Sequence, residues 1–414
     1  MALQQAGGGA CLECGMRAPS SPLAAILEPQ DAPEALATSA RLTAVIRGEI
    51  DRAGGWIPFS RFMALALYAP GLGYYSAGAA KIGRHPDSGS DFATAPEMTP
   101  LFARALARPI AEVLAEGGTS ILELGGGSGR LAADLLLELE ALGQLPERYR
   151  LLEVSADFRQ RQAATLQRLA PHLADRVEWV DALPDRLDGV VLGNEVLDAL
   201  PAELVVREAG GWSTRGVESF DGRFRFADRP SSAEITGLAD ATIPEAASLP
   251  TGYLTELHPA MGGLVRTIVE RLSAASVMFM IDYGFPASEY YHRQRAGGTL
   301  MAHRRHRASL DILANPGLQD LTTHVDFSAV AAAARDAGGT TIGYTSQASF
   351  LIDCGIADLL LGNAIDPAAW APQAAALQML VSEAEMGELF KVIGIARRPR
   401  SLTGFARSDR RGAL

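Results

Sequence analysis

Ile121-Leu122-Glu123-Leu124-Gly125-Gly126-Gly127-Ser128-Gly129 is the stretch on which the fold turns. A short apolar run ends in a glycine loop, and from Leu131 to Leu142 the apolar residues recur at helical spacing. The pattern predicts a strand, a sharp turn and a helix, with glycines where the backbone must bend and let a ligand come close. The spacing Gly125-x-Gly127-x-Gly129 departs from the dinucleotide fingerprint, because Arg130 stands where its last glycine belongs. No Gly-Lys-Ser/Thr follows to make a phosphate-binding loop. Glu123 would repel a pyrophosphate yet can accept from the ammonium of a methionine moiety, so the loop suits S-adenosylmethionine better than NAD or ATP.

Outward from this loop, short apolar runs alternate with helical patterns. Strands are expected at Arg150 to Val154, Val177 to Val180, Gly189 to Gly193 and Val277 to Ile281, with a helix from Asp157 to Leu169. Such alternation implies an α/β fold, a Rossmann-like doubly wound sheet covered on both faces. Acids fall at the strand ends. Glu153 is placed to accept from both ribose hydroxyls and Asp181 to meet the adenine amino group. The fourth strand ends Gly193-Asn194-Glu195-Val196-Leu197-Asp198, on the edge that faces the transferred methyl group. Asn194, Glu195 and Asp198 are therefore the candidates on the acceptor side, and Asp282 after the fifth strand shares their rim. Each acid alone also reads as a solvated strand end, Asp198 as a helix cap and Asp282 as part of a turn. Their succession along one sheet edge points to a site.

The chain divides into a tail over residues 1–36, a helical N-terminal segment with a covering loop over 37–110, a core over 111–398 and a basic tail over 399–414. Leu42, Val45, Ile46 and Ile50 share a helix face, and Phe62, Leu65 and Ala66 resume it after Gly54-Gly55. The irregular stretch from Tyr68 to Glu97 is long enough to be a functional cover. Alternation at Glu203 to Arg207, Trp212 to Val217 and Arg223 to Phe226 predicts a β-hairpin insertion within about 203–256. A helix is expected from Pro259 to Leu272, and a late strand, Phe390 to Ala396, at the sheet edge.

Composition removes several classes. With 414 residues, 48% of them hydrophobic, the chain can bury an enzyme-sized core. A net charge of −11 argues against nucleic acid, which is held by a basic face. No apolar run approaches the roughly 20 residues of a membrane span. Cys11 and Cys14 lack the second ligand pair that structural zinc needs, so no metal is expected. The N-terminus has neither a secretory nor a mitochondrial leader pattern, which predicts a cytoplasmic protein, and the Ala-, Gly- and Arg-rich usage suggests a bacterial one. His303 and His306, among Arg304, Arg305 and Arg307, read as a solvated helix face and not as a metal pair.

Taken with their neighbours, these residues resemble the MidA/DUF185 family of class I methyltransferases. The resemblance spans about Gly54 to Arg398 and rests on several strings: Pro58-Phe59 through Phe62-Met63 to Gly73-Tyr74-Tyr75, Ile82-Gly83, Asp91 to Glu97, the glycine loop, and Asn194-Glu195 to Pro201. It continues in Ile281-Asp282-Tyr283-Gly284, Gly297-Gly298-Thr299-Leu300, Asp320 to Phe327, Gln347 with Phe350-Leu351, and Phe390-Lys391-Val392. It implies a class I fold with an antiparallel last strand and S-adenosylmethionine at the glycine loop, contacted by Gly125, Gly127, Gly129, Glu123, Glu153, Asp181 and Asn194. It also implies that the Asp91 to Glu97 segment, with Thr94, packs over the cofactor. Gly126 stands where many relatives carry proline, and the insertion Arg84 to Ser90 lengthens a loop near the entrance.

The family includes a mitochondrial complex I assembly factor that methylates an arginine. The resemblance therefore implies a protein substrate, a complex I subunit; a homodimer is the expected assembly. A guanidinium beside a sulfonium requires carboxylates to offset the repulsion: Glu195 as its bidentate partner, with Asp198, Glu256 and Asp282 as further acids. Two other readings stay open. One is an assembly factor that binds S-adenosylmethionine without transferring its methyl group; the other is a small-molecule methyltransferase, with a more apolar acceptor pocket. Tyr74-Tyr75 reads equally as core packing or as an adenine stack, and His324 as a buried hydrogen bond.

Overall fold

Alternate residues of one strand, Val277–Phe285, face opposite cores. Val277, Phe279 and Ile281 pack with the helices Pro100–Ala115 and Arg130–Ala141, while Met278 and Met280 pack with Pro259–Arg271 and Phe327–Asp336. Because side chains alternate across a strand, burial on both sides places it inside a sheet covered by helices. The computed structural model describes residues 33–77, 94–305, 307–362 and 367–414, the side chains of 367–369 excepted. The Cys11 and Cys14 pair, most of the N-terminal tail, Ile82-Gly83, the insertion Arg84 to Ser90, the Asp91 to Ala93 part of the covering segment and His306 lie outside the described residues.

The sheet comprises β1 (Ser120–Leu124), β2 (Arg148–Leu152), β3 (Val177–Val180), β4 (Gly189–Asn194), β5 (Val277–Phe285), β6 (Thr340–Ser346) and β7 (Phe390–Ala396). Their order is β6-β7-β5-β4-β1-β2-β3, and the short strand Val325–Asp326 pairs with the end of β5. Strands β5, β4, β1, β2 and β3 run parallel, and β7 is antiparallel to both β5 and β6. This is the expected doubly wound sheet with its last strand reversed. The late strand is internal and not at the edge, since β6 pairs outside it. The Thr340-Thr341-Ile342-Gly343 start of β6 carries too little apolar alternation to be seen as a strand.

Both tails shrink. The first helix, Pro33–Arg52, starts inside the residues assigned to the N-terminal tail, and it buries Leu42, Ile46 and Ile50. Val45, on the same predicted face, is exposed. At the other end, Leu402 and Phe405 are buried, and the Phe405 ring stacks on Phe279 at 6.3 Å and meets Phe350 edge-on at 5.2 Å. Gly343 of β6 and Gly394 of β7 make the room, because a Cβ at either would run into the Phe405 ring. Arginine-rich composition suggested solvation, but Leu402 and Phe405 pack on the sheet, and Thr403 and Gly404 bond to Glu112 and Asp353.

The insertion outgrows a hairpin. Glu203–Glu208, Gly211–Phe220 and Arg223–Pro230 pair in succession and recruit Leu254–Leu257 and the distant Ile57–Pro58 into a five-stranded antiparallel sheet. Trp56 locks that last pairing by donating its Nε1–H to the carbonyl of Ala227 at 2.8 Å. The helices Pro33–Arg52 and Phe59–Tyr68 share a core with Leu204 and Val217 of this sheet, so the N-terminal layer and the insertion form one cap. Met301–Arg304, Arg307–Ser309 and Asp320–Thr322 form a third sheet against the same core. Of the stretch read as a solvated helix face, His303, Arg304 and Arg307 thus lie on antiparallel paired strands. Among the described residues no helix is long and apolar enough to cross a membrane.

Candidate active site

Register decides which side chains meet. Leu124 of β1 lies opposite Leu152 of β2 and Gly193 of β4, Leu152 opposite Val180 of β3, and Asn194 opposite Ile281 of β5. Gly125, Glu153, Asp181, Glu195 and Asp282 therefore emerge side by side at the carboxyl edge. A cavity of about 680 Å³ opens between this edge and the cap, the usual place for a ligand in an open α/β sheet.

Gly125, Gly127 and Gly129 all adopt left-handed backbone, with φ of 62°, 50° and 82°, a region that side chains disfavour. Gly129 also needs its missing Cβ, which would lie 2.8 Å from the Cα of Gln162. Gln162 is fully buried; its Nε2 donates to the Gly127 carbonyl at 3.1 Å and to Glu153 Oε2 at 3.3 Å, and its Oε1 accepts from Trp179 at 2.8 Å. It clamps the loop to the second strand end. No motif in the sequence marks it, since it is one polar residue inside a helix. The other Glu153 oxygen, Oε1, accepts from the Ser155 N–H at 2.9 Å, and burial raises this carboxyl against those hydrogen bonds.

Glu123 is 3% exposed, accepts from the Tyr149 hydroxyl at 2.6 Å and lines the cavity. Burial pushes it up to about 7, against the tyrosine hydrogen bond. Thr94, which precedes the short helix Ala95–Met98, lines the cavity, as does Glu97, bonded by the Ser128 hydroxyl. Asp181 is placed differently from expectation. Its side chain is 83% exposed, pairs with Arg159 and stands outside the cavity lining. Arg159 reaches it because the same guanidinium also donates to the Glu153 carbonyl, at 2.6 Å.

On the acceptor side, Asn194 Nδ2 donates to Glu195 Oε1 at 3.1 Å, and its buried Oδ1 has no hydrogen-bond partner among the described residues. Glu195 is held at φ 53°, the left-handed region. Burial pushes its carboxyl up to about 8 and the Asp198 charge adds to the rise, while the Asn194 and Ala95 hydrogen bonds oppose it. Asp198 is 5% exposed and pushed up to about 6 by burial, with the Tyr283 phenol opposing. A third acid joins them: Asp320 lines the cavity from the cap side and accepts from the Tyr75 hydroxyl at 2.8 Å. It lay within a family string but on no strand of the main sheet, so only packing brings it here.

Two expected acids face elsewhere. Asp282, 1% exposed, is outside the cavity lining; its Oδ2 accepts the N–H groups of Val196, Leu197 and Asp198 at 3.1, 2.8 and 3.3 Å. Glu256 is wholly buried and accepts from the Thr299 and Leu300 N–H groups at 2.6 and 3.0 Å and from the Tyr290 hydroxyl at 2.9 Å. Both satisfy backbone and not a ligand. Tyr74 is core, while Tyr75 lines the cavity and stacks on Tyr68 at 5.6 Å. His303 and His324 also line it. No cluster of three or more potential metal ligands exists among the described residues.

The cavity suits S-adenosylmethionine on structural grounds. The glycine loop brings backbone against it, Glu153 offers a carboxylate to a ribose, Glu123 a carboxylate to an ammonium, and Asn194 an unpaired buried oxygen. Comparison with known proteins agrees. A family model described as "Putative S-adenosyl-L-methionine-dependent methyltransferase" matches residues 102–345. The chain is similar to a Burkholderia thailandensis protein solved with bound S-adenosyl-homocysteine: 53% identity, a TM-score of 0.88, and coverage of 93% of this chain and 100% of that one. It is 28% identical over 381 residues to the mitochondrial protein arginine methyltransferase NDUFAF7 of Danio rerio, covering 84% of this chain and 85% of that protein. The homologue from Caenorhabditis elegans is 28% identical over 328 residues, 74% of each chain.

Proposed function

Because the chain belongs to this family of S-adenosyl-L-methionine-dependent methyltransferases, we propose that it delivers the methyl group to an arginine guanidinium of a protein. Its cofactor is S-adenosylmethionine, which when bound supplies an electrophilic methyl group on a cationic sulfur. In our reading the glycine loop with Glu123, Glu153, Thr94 and Asn194 holds that cofactor, and Asp181 joins only if its side chain leaves Arg159. The observation that carries the acceptor class is the group of Glu195, Asp198 and Asp320 around one cavity. Glu195 and Asp198, buried beside each other, are costly to hold as carboxylates unless a cation meets them.

A planar guanidinium presents paired N–H donors that match a carboxylate. Glu195 grips it, Asp198 adds to the charge balance, and Asp282 acts through the turn it holds. Holding donor and acceptor in line and excluding water can supply roughly 7 to 11 kcal/mol of the barrier. The relatives named protein arginine methyltransferases support the same acceptor, and the family resemblance suggests a respiratory complex I subunit as its bearer.

The experiment is methyl transfer from tritiated S-adenosylmethionine into a lysate of cells lacking the protein, followed by acid hydrolysis. Label is expected in methylarginine of the protein fraction, and Glu195→Gln should lower its rate at least about 100-fold with cofactor affinity retained in calorimetry. Label confined to small metabolites would replace the protein acceptor with a metabolite.

A further inference from the structure

Whatever nitrogen accepts the methyl group must give up a proton in each turnover, and the carboxylates that hold a guanidinium are engaged in holding it. Two imidazoles, His303 and His324, line the cavity, and His324 lies near the acidic group. His324 follows the cap strand Asp320–Thr322 and lines the cavity. Its ring meets Tyr283 edge-on at 5.1 Å and leans on Phe285 at 5.3 Å, and the Tyr283 phenol bonds to Asp198. The ring therefore sits one side chain away from the acidic group. Its Nδ1 is buried without a hydrogen-bond partner among the described residues, which leaves Nε2 as the nitrogen that can meet a ligand.

An expensive arrangement fixes this residue. The His324 N–H donates to Thr299 Oγ1 at 3.0 Å, Thr299 Oγ1 lies 3.2 Å from the Tyr290 hydroxyl, and that hydroxyl donates to the wholly buried Glu256. Glu256 also receives the Thr299 N–H. A buried carboxylate thus ends, through two side chains, in placing the main chain of His324. Burial, with Arg295, Lys391 and His303 nearby, lowers the imidazole to about 4, so the ring is neutral at pH 7 and, with its hydrogen on Nδ1, offers the Nε2 lone pair.

We propose that His324 is a catalytic residue whose neutral imidazole accepts the acceptor nitrogen's proton as the methyl group arrives. The nitrogen lone pair forms the new N–C bond, the electron pair of the broken S–C bond stays on sulfur, and the surplus N–H proton moves to Nε2 and then to water in the cavity. Glu256, Tyr290 and Thr299 are positioning residues for this ring. The inference rests on a nitrogen acceptor as proposed above.

The test compares the full-length protein with His324→Ala in the lysate assay. Wild-type transfer should exceed the variant's by on the order of 10² to 10⁴, the usual contribution of a proton acceptor. Calorimetric affinity for S-adenosyl-homocysteine should be unchanged, and added imidazole should restore at least a tenth of the rate. In the unliganded wild type, the His324 ring resonances should report a neutral imidazole at pH 7. A variant that transfers at the wild-type rate, a loss that imidazole fails to rescue, or a cationic ring at pH 7 each overturns the proposal. Failure of the arginine reading shows separately, as wild-type label outside methylarginine; the comparison is then made on that product and still decides the role of His324.

Discussion

Asp282 Oδ2 accepts the Leu197 N–H at 2.8 Å, tying the end of one central strand to the turn that leaves its neighbour. The same oxygen takes the N–H groups of Val196 and Asp198, and Oδ1 takes that of Tyr283 at 3.0 Å. Four main-chain donors on one carboxylate make the Glu195 to Asp198 turn a rigid platform, and Glu195 is held on it at φ 53°. Asp282→Asn puts an NH₂ where some of those donors point, and the turn must shift. Because displacement of about 1 Å can cost about 100-fold in rate, methyl transfer should fall by that order. Affinity for S-adenosyl-homocysteine should stay within about threefold, as the glycine loop is untouched; equal losses in both would assign Asp282 to the cofactor instead.

Gly129→Ala tests the loop. Left-handed backbone costs a side chain about 1 to 2 kcal/mol, and the new methyl would press on the backbone of Gln162, whose Cα lies 2.8 Å away. Gln162 then loses its hold on the Gly127 carbonyl. Calorimetry with S-adenosyl-homocysteine should show at least a tenfold weaker complex.

The acidic group makes stability depend on pH. Glu195 titrates near 8 in the fold against an ordinary 4.5, and Asp198 near 6 against 3.8. Carboxyls raised by folding stabilise fully below their ordinary values and lose that contribution as pH climbs through the raised ones. The free protein should therefore melt at a lower temperature at pH 8.5 than at pH 5. Part of Glu195 faces the open cavity, so water screens it and the change assignable to it is small, about 2 °C. Thermal unfolding of Glu195→Gln should show a shallower fall with pH than the wild type, and an identical pH slope would remove Glu195 as its source.

Phe405→Ala addresses the C-terminal segment. The ring fills the space over Gly343 and Gly394 and touches Phe279 and Phe350, and removing a buried phenylalanine side chain costs about 3 to 5 kcal/mol. Urea unfolding should reveal a loss of that size, whereas a solvated tail would give almost none.

The doubly wound sheet was readable from sequence because its determinants are local. Strands such as Ile121 to Leu124 and Val177 to Val180 are buried runs of the right length, and the glycines of 125, 127 and 129 are required by backbone angles that neighbours in sequence impose. Parallel register then forces Glu153 and Glu195 onto one edge, so the placement of these two acids follows from the strand pattern. Long-range contact decided the rest. Asp181 turned to Arg159, Asp282 and Glu256 turned to unsatisfied N–H groups, and Asp320 arrived from a separate sheet to stand near Glu195. Whether a carboxylate serves a ligand or the main chain depends on which donors surround it after packing, and those donors lie tens to hundreds of residues away in sequence. The loop contacts of Gln162 and the cavity position of His324 were invisible in the sequence for the same reason: each takes its place from neighbours that only the tertiary structure supplies.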